Sequence, residues 1–362
     1  MNTEPGTSEM KFSKVLFQRI NDYFAESGLS KKADQRMILK IIAGFSWLVL
    51  SYAALFLVPL RFWQFLVIYM LHGLAQVFIL LNISHDANHQ AISKSKSVNN
   101  FLSYTFELCG ISSYMWRILH HRGHHSCMNV YGEDEAILAH GMFRLSPHCP
   151  WKKMYRFQHL YAFILYGVVS LDFVLVKDFY YFFFSGYRHT KGRNHPFREY
   201  VLLFTSKIVY LGYMIVLPVF LLEFSIGQIL IAFLAAHFIM GFITTLVFQT
   251  SHVIETSRFP GSSEEFEHYV FHIFATTADY SVRSSLAYWF FGGLHLHIAH
   301  HLCPNVCHTH YPALTEIARS TAEEFGIEYR ENRTMYGALI KHFHLLKQLG
   351  KPPLMIKPSL QY

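Results

Sequence analysis

Three short stretches gather histidines at spacings that suit a metal. The sequence contains 24 histidines, and their clustering is the unusual feature. In "HDANH", His85 and His89 are four residues apart, so on a helix they share one face. In "HHRGHH", His120, His121, His124 and His125 fall within six residues. In "HLHIAHH", His297, His300 and His301 stand at i, i+3 and i+4, while His295 falls off that face. Four neighbouring imidazoles would repel one another if protonated. Neutral rings bound to a cation avoid that cost, because ligation uses the deprotonated nitrogen. His252, in "FQTSHVIE", is a further candidate. A lone histidine of this kind more often serves as a hydrogen-bonded packing residue. A zinc site uses three or four ligands, so eight or nine clustered histidines imply two metals. Imidazole suits iron, copper, zinc and nickel. Asp86 is the one carboxylate embedded in a histidine cluster, so the pattern is not the Glu-rich one of soluble di-iron bundles.

The second cluster leaves a choice open. At about 100° per residue, His121, His124 and His125 occupy an arc of about 100°, whereas His120 with the same pair needs about 140°. A regular helix therefore favours His121 as a ligand and leaves His120 in a supporting role. Gly123 can loosen the helix enough to admit His120.

The elements that carry these clusters are apolar. Hydrophobic residues make up 52 % of the chain and charged residues 15 %, against about 25 % charged in a soluble domain. Runs at 41–60, 62–83, 201–222 and 226–247 are each long enough to span a bilayer. They pair into two hairpins with short connections. The net charge is +7, and Lys and Arg flank the apolar runs rather than forming a stripe. This disfavours a nucleic-acid partner and suits anionic headgroups. It also puts both termini and all the histidine clusters on the cytoplasmic side. The stretches 101–118 and 158–186 are interrupted by Glu107, Asp172, Lys177 and Asp178, and read as interfacial or re-entrant helices. Gly292, Gly293 and Pro304 bracket a short helix for the third cluster.

Residues 1–36 read as a cytoplasmic amphipathic region, with Phe12, Val15, Leu16, Ile20 and Tyr23 at helical spacing. They lie either on the membrane face or against the rest of the protein. Their polar start does not fit a cleavable signal peptide. Residues 37–362 form the membrane domain, with cytoplasmic regions at 84–200 and 248–362. The five cysteines include no CxxC pair and read as reduced thiols. His72 and His237 lie inside predicted spans and read as packed residues. The expected fold is thus all-α and integral to the membrane, with two transmembrane hairpins and a cytoplasmic helical cap bearing a histidine-rich di-metal site.

The stretches "SHDANHQAIS", "GISSYMWRILHHRGHHSCMNVYGEDEAI", "RLSPHCPWKKMYRFQHLYAFILYG" and "GGLHLHIAHHLCPNVCHTHYPAL", in this order, resemble the integral-membrane fatty acid desaturase and hydroxylase superfamily. The likeness runs from about Leu29 to Tyr329. It is strongest to bacterial acyl desaturases of the linoleoyl-CoA or front-end type. The resemblance implies two irons and an oxidant made from dioxygen that abstracts hydrogen from an unactivated methylene. It implies ligands at His85, His89, His120 or His121, His124, His125, His252, His297, His300 and His301. Asp86, Asn88, Trp116, Asn129 and Asp134 would support them, with Glu135 completing an acidic pair. Front-end enzymes typically open the third box with Gln, where this chain has His297; the double-bond position is therefore left open. No "HPGG" haem motif occurs, so electrons are expected from a separate donor such as a ferredoxin or a cytochrome b5. The substrate is expected to be an acyl lipid, an acyl-CoA or an acyl-carrier protein. Aromatic helices at 62–83 and 158–186 are expected to line its tunnel.

Two rivals remain at this stage. One is a hydroxylase or acetylenase on the same scaffold, which the motifs do not separate. The other is a metal transporter or metal-binding scaffold. That would place its ligands at mid-bilayer, and here the clusters fall outside the spans.

Overall fold

In the computed structural model the described residues are 5–138, 141–184, 187–262, 265–266 and 268–353. The main helices are α1 (Pro5–Ser27), α2 (Gln35–Leu57), α3 (Phe62–Asn88), α4 (Ser113–Arg117), α5 (Phe197–Leu221), α6 (Ile226–His252), α7 (Tyr269–Thr276), α8 (His297–Leu302), α9 (Tyr311–Glu324) and α10 (Met335–Leu349). Two dipeptides, β1 (Asp279–Tyr280) and β2 (Glu331–Asn332), pair in parallel. The chain divides into two compact units. One holds residues 1–34, 120–161 and 247–362; the other holds 35–119 and 162–246.

The second of these units carries the expected spans. Helices α2, α3, α5 and α6 are long and apolar enough to cross a membrane. Leu50, Leu57, Ile208 and Phe220 on α2 and α5 are 68–80 % exposed, an arrangement that lipid tolerates and water does not. Inside, Phe65, Tyr69, Tyr210, Met214, Ile229 and Phe233 form one core. Small residues let backbones approach: a Cβ on Gly241 would sit 2.7 Å from the carbonyl oxygens of Tyr166 and Gly167. Several polar groups in this unit are hydrogen-bonded. His72 Nδ1 bonds Ser51 Oγ, and His237 bonds Ser170 Oγ and the Tyr210 hydroxyl, so both are packed residues, as expected. Lys207 pairs at 2.5 Å with Asp178, which also accepts the Ser112 N–H. The buried Asp178 thus has its counter-ion on α5. The segments Lys153–Tyr166 and Val169–Lys177 are bent by 68°, as a re-entrant loop or a broken span would be.

In the other unit the apolar face of α1 is covered by protein. Phe12, Leu16, Ile20 and Phe24 are buried in one cluster with Leu314, Ala318 and Ala322 of α9, and Arg19 bonds Thr321 and Glu324. Of the two positions open to this helix, it takes the packed one. Arg144 is fully buried and donates to the carbonyls of Cys149, Pro147 and Leu349. It thereby ties the "RLSPHCPW" loop to the end of α10.

Candidate metal centre

The third histidine cluster sits on α8, whose entry needs glycine. Gly293 has φ +71°, and a Cβ there would lie 3.0 Å from that of His308. Gly292 is also left-handed, at φ +59°. The helix stops at Leu302, just before Cys303 and Pro304. Its bracketing glycines and proline lie where the sequence suggests.

His297 and His301 of α8 meet His252, at the end of α6, and His124. Each of the four contributes a ring nitrogen within 4.8 Å of the others, and all four are buried. His252 Nε2 and His301 Nε2 are 3.1 Å apart. Three of the rings are held by their other nitrogen: His124 Nδ1 lies 3.0 Å from Asp134 Oδ1, His252 Nδ1 3.2 Å from the Thr276 carbonyl, and His297 Nδ1 2.8 Å from the Leu294 carbonyl. An N–H at Nδ1 leaves Nε2 as a lone-pair donor. Burial, and then the neighbouring histidines His125, His297, His252 and His124, hold His301 well below its ordinary pKa. Burial and the neighbouring histidines lower the pKa of His252 as well, so these two rings present neutral imidazoles.

This donor set fits a divalent transition metal. Two imidazole bonds of about 2.1 Å at a right angle place their nitrogens about 3 Å apart, close to the His252–His301 spacing. Asp134 faces His124 Nδ1 rather than joining the cluster. It also accepts N–H groups from Asn129 and Ala136. Asn129, at φ +61°, donates its side-chain amide to the carbonyls of His252, Arg258 and Thr276. It links the Asp134 loop to the end of α6 that carries His252.

The second cluster departs from a regular helix. Ser112 caps α4 by accepting the Met115 N–H. The chain then winds as a π-helix over Ile118–Arg122, and His125 N–H bonds His120 C=O across five residues. The i, i+5 winding brings His120 edge-to-face with His125, with their Nε2 atoms 3.1 Å apart. The His120 ring also stacks 6.0 Å from His300. His121 lies farther from His125, at 6.3 Å between ring centroids. The angular argument for His121 assumed 100° per residue, and that premise does not hold here.

In the spanning unit, His85 and His89 follow a π-turn at Leu80–Ser84, with ring centroids 4.7 Å apart. Trp116 stands edge-on to both, at 5.4 and 5.8 Å, and packs on Phe106. Asn88 accepts from Arg117 and donates to the Ser84 carbonyl. Asp86 Oδ1 is 3.9 Å from His85 Nδ1. His295 is buried outside the four-histidine group, and its carbonyl accepts the Tyr280 N–H.

Several contributors carry no signal in the sequence. The Tyr311 hydroxyl stands 3.3 Å from His300 Nδ1, and Tyr269 donates to the His125 carbonyl. Two of the groups that hold the clustered histidines are backbone carbonyls, which any residue type supplies.

A buried four-histidine cluster in a chain with four helices apolar enough to cross a membrane is compatible with the metal site of a membrane enzyme. Comparison with known proteins gives the family. Residues 61–333 match the model of the fatty acid desaturase family. The chain is 33 % identical over 357 residues to the sn-1 linoleoyl-lipid 6-desaturase of Synechocystis sp., covering 95 % of this chain and 97 % of that one. It is 32 % identical to the acyl-lipid (8-3)-desaturase of Physcomitrium patens, covering 94 % of this chain and 72 % of that one. With the sn-1 linoleoyl-lipid 6-desaturase of Arthrospira platensis it shares 27 % identity, over 94 % and 93 %. The chain belongs to the fatty acid desaturase family: it is an oxidoreductase that acts on fatty acyl groups in a membrane.

Proposed function

We propose that this chain introduces a carbon–carbon double bond into an acyl chain carried on a membrane lipid, using dioxygen and two histidine-bound irons. The observation that carries this reading is the cluster of His124, His252, His297 and His301, all buried and nitrogen-only. The family resemblance implies further iron ligands among His85, His89, His120, His125 and His300. When bound, the irons supply dioxygen activation and the oxidant that removes two hydrogens from adjacent methylenes. The reaction balances as R–CH2–CH2–R′ + O2 + 2 e⁻ + 2 H⁺ giving R–CH=CH–R′ + 2 H2O.

The protein's part is positional. Asp134, and the carbonyls of Thr276 and Leu294, orient ring nitrogens inward. Trp116 and Phe106 cover His85 and His89 with apolar surface and limit water there. The names of the cyanobacterial relatives favour a lipid-linked substrate over a CoA or carrier-protein ester. Electrons come from a separate ferredoxin- or cytochrome b5-type donor. The Lys and Arg that flank the apolar runs support a cytoplasmic position for the histidines and both termini.

Acyl analysis of a bacterial host expressing the chain tests this reading. A new unsaturated acyl species on the lipid fraction, absent with His297→Ala and without oxygen, is expected. A hydroxylated or acetylenic product, or no product with an active donor present, contradicts it.

A further inference from the structure

We infer that Asp279 is a positioning residue for the third histidine box, held to that task by Tyr329. Asp279 is fully buried in β1. Its Oδ1 accepts the Ile298 N–H at 2.9 Å, from 19 residues upstream. Ile298 is the second residue of α8, and its N–H belongs to the first turn, which has no partner within a helix. The residue at the N-cap is Leu296, which makes no side-chain cap bond. Asp279 therefore supplies the cap that the local sequence lacks. Its other oxygen accepts the Tyr329 hydroxyl.

The backbone around Asp279 explains why the cap bears on the metal site. Ala278 N–H bonds the Ser251 carbonyl, next to His252. Asp279 N–H bonds the Arg330 carbonyl, and Tyr280 N–H bonds the His295 carbonyl. One tripeptide thus joins the end of α6, the residues entering α8, and β2. His252 rides on the first and His297 and His301 on the second. Their convergence, with His252 and His301 nitrogens 3.1 Å apart, depends on holding α8 in one register. Asp279 does this through Ile298, without facing the cluster itself. The inference rests on the metal reading above.

Cobalt(II) binding to the full-length, detergent-solubilised chain tests it without turnover, read by affinity and by the visible spectrum. Asp279→Asn keeps an oxygen for Ile298 N–H, so its affinity should stay within about twofold and its spectrum unchanged. Asp279→Ala should weaken cobalt at least tenfold and alter the spectrum, with hydrogen exchange faster across 295–303. Tyr329→Phe, which frees the carboxylate, should fall between. A folded Asp279→Ala protein with wild-type affinity and spectrum overturns the inference. If Asp279→Ala does not fold, Tyr329→Phe decides, and a wild-type spectrum there overturns it. Wild-type protein that binds no cobalt refutes the metal reading instead, and exchange across 295–303 in Asp279→Asn and Tyr329→Phe then judges the clamp alone.

Discussion

His124 Nδ1 stands 3.0 Å from Asp134 Oδ1, and the same carboxylate accepts the N–H groups of Asn129 and Ala136. The carboxylate is thus fixed on two sides before it orients the imidazole. Asp134→Asn can offer an NH2 group where His124 Nδ1–H needs an acceptor, which favours the wrong tautomer. Metal affinity should fall about 10–100-fold. Metal titration of the purified protein checks this, and unchanged affinity would show that His124 is not oriented by Asp134.

The π-helical winding at Ile118–Arg122 favours His120 over His121 as the metal-binding residue in the second box. His120→Ala should lose bound iron and all measurable turnover. His121→Ala should keep iron, with turnover reduced less than about tenfold. Iron per purified chain separates the two. Loss of iron in His121→Ala with retention in His120→Ala would show that the segment winds as a regular helix in the membrane.

Gly241 leaves no room for a side chain, since its Cβ would meet two carbonyl oxygens at 2.7 Å. Gly241→Val should cost about 1–3 kcal/mol through overpacking. A lower unfolding midpoint in detergent checks this, and an unchanged midpoint would mean that α6 does not approach the Tyr166–Gly167 turn so closely.

Topology is separately measurable. Reporter fusions at Gln228 and at the C-terminus should fall on opposite sides of the membrane. The same side for both would refute the proposed sidedness.

The sequence makes the spans legible because twenty apolar residues in a row have few other uses. The third box was legible too, because Gly292, Gly293 and Pro304 mark both ends of its helix. What was not legible depends on winding or on distant partners. Nothing in "WRILHHRGHH" announces a π-turn, so the choice between His120 and His121 rested on an assumed period. The apolar stripe of α1 fits a membrane surface as well as a protein one, and only α9 shows which it meets. Asp279 and Tyr311 are single polar residues far in sequence from what they hold, and the Thr276 and Leu294 carbonyls that hold His252 and His297 leave no trace in side-chain identity.

Iron content tests the central claim most directly. Protein produced with ample iron and little zinc, because zinc outcompetes ferrous iron at such sites, should carry close to two irons per chain. His252→Ala and His85→Ala should each carry markedly less. One tightly held zinc with no iron-dependent activity, or full iron in the His252→Ala protein, would contradict the account.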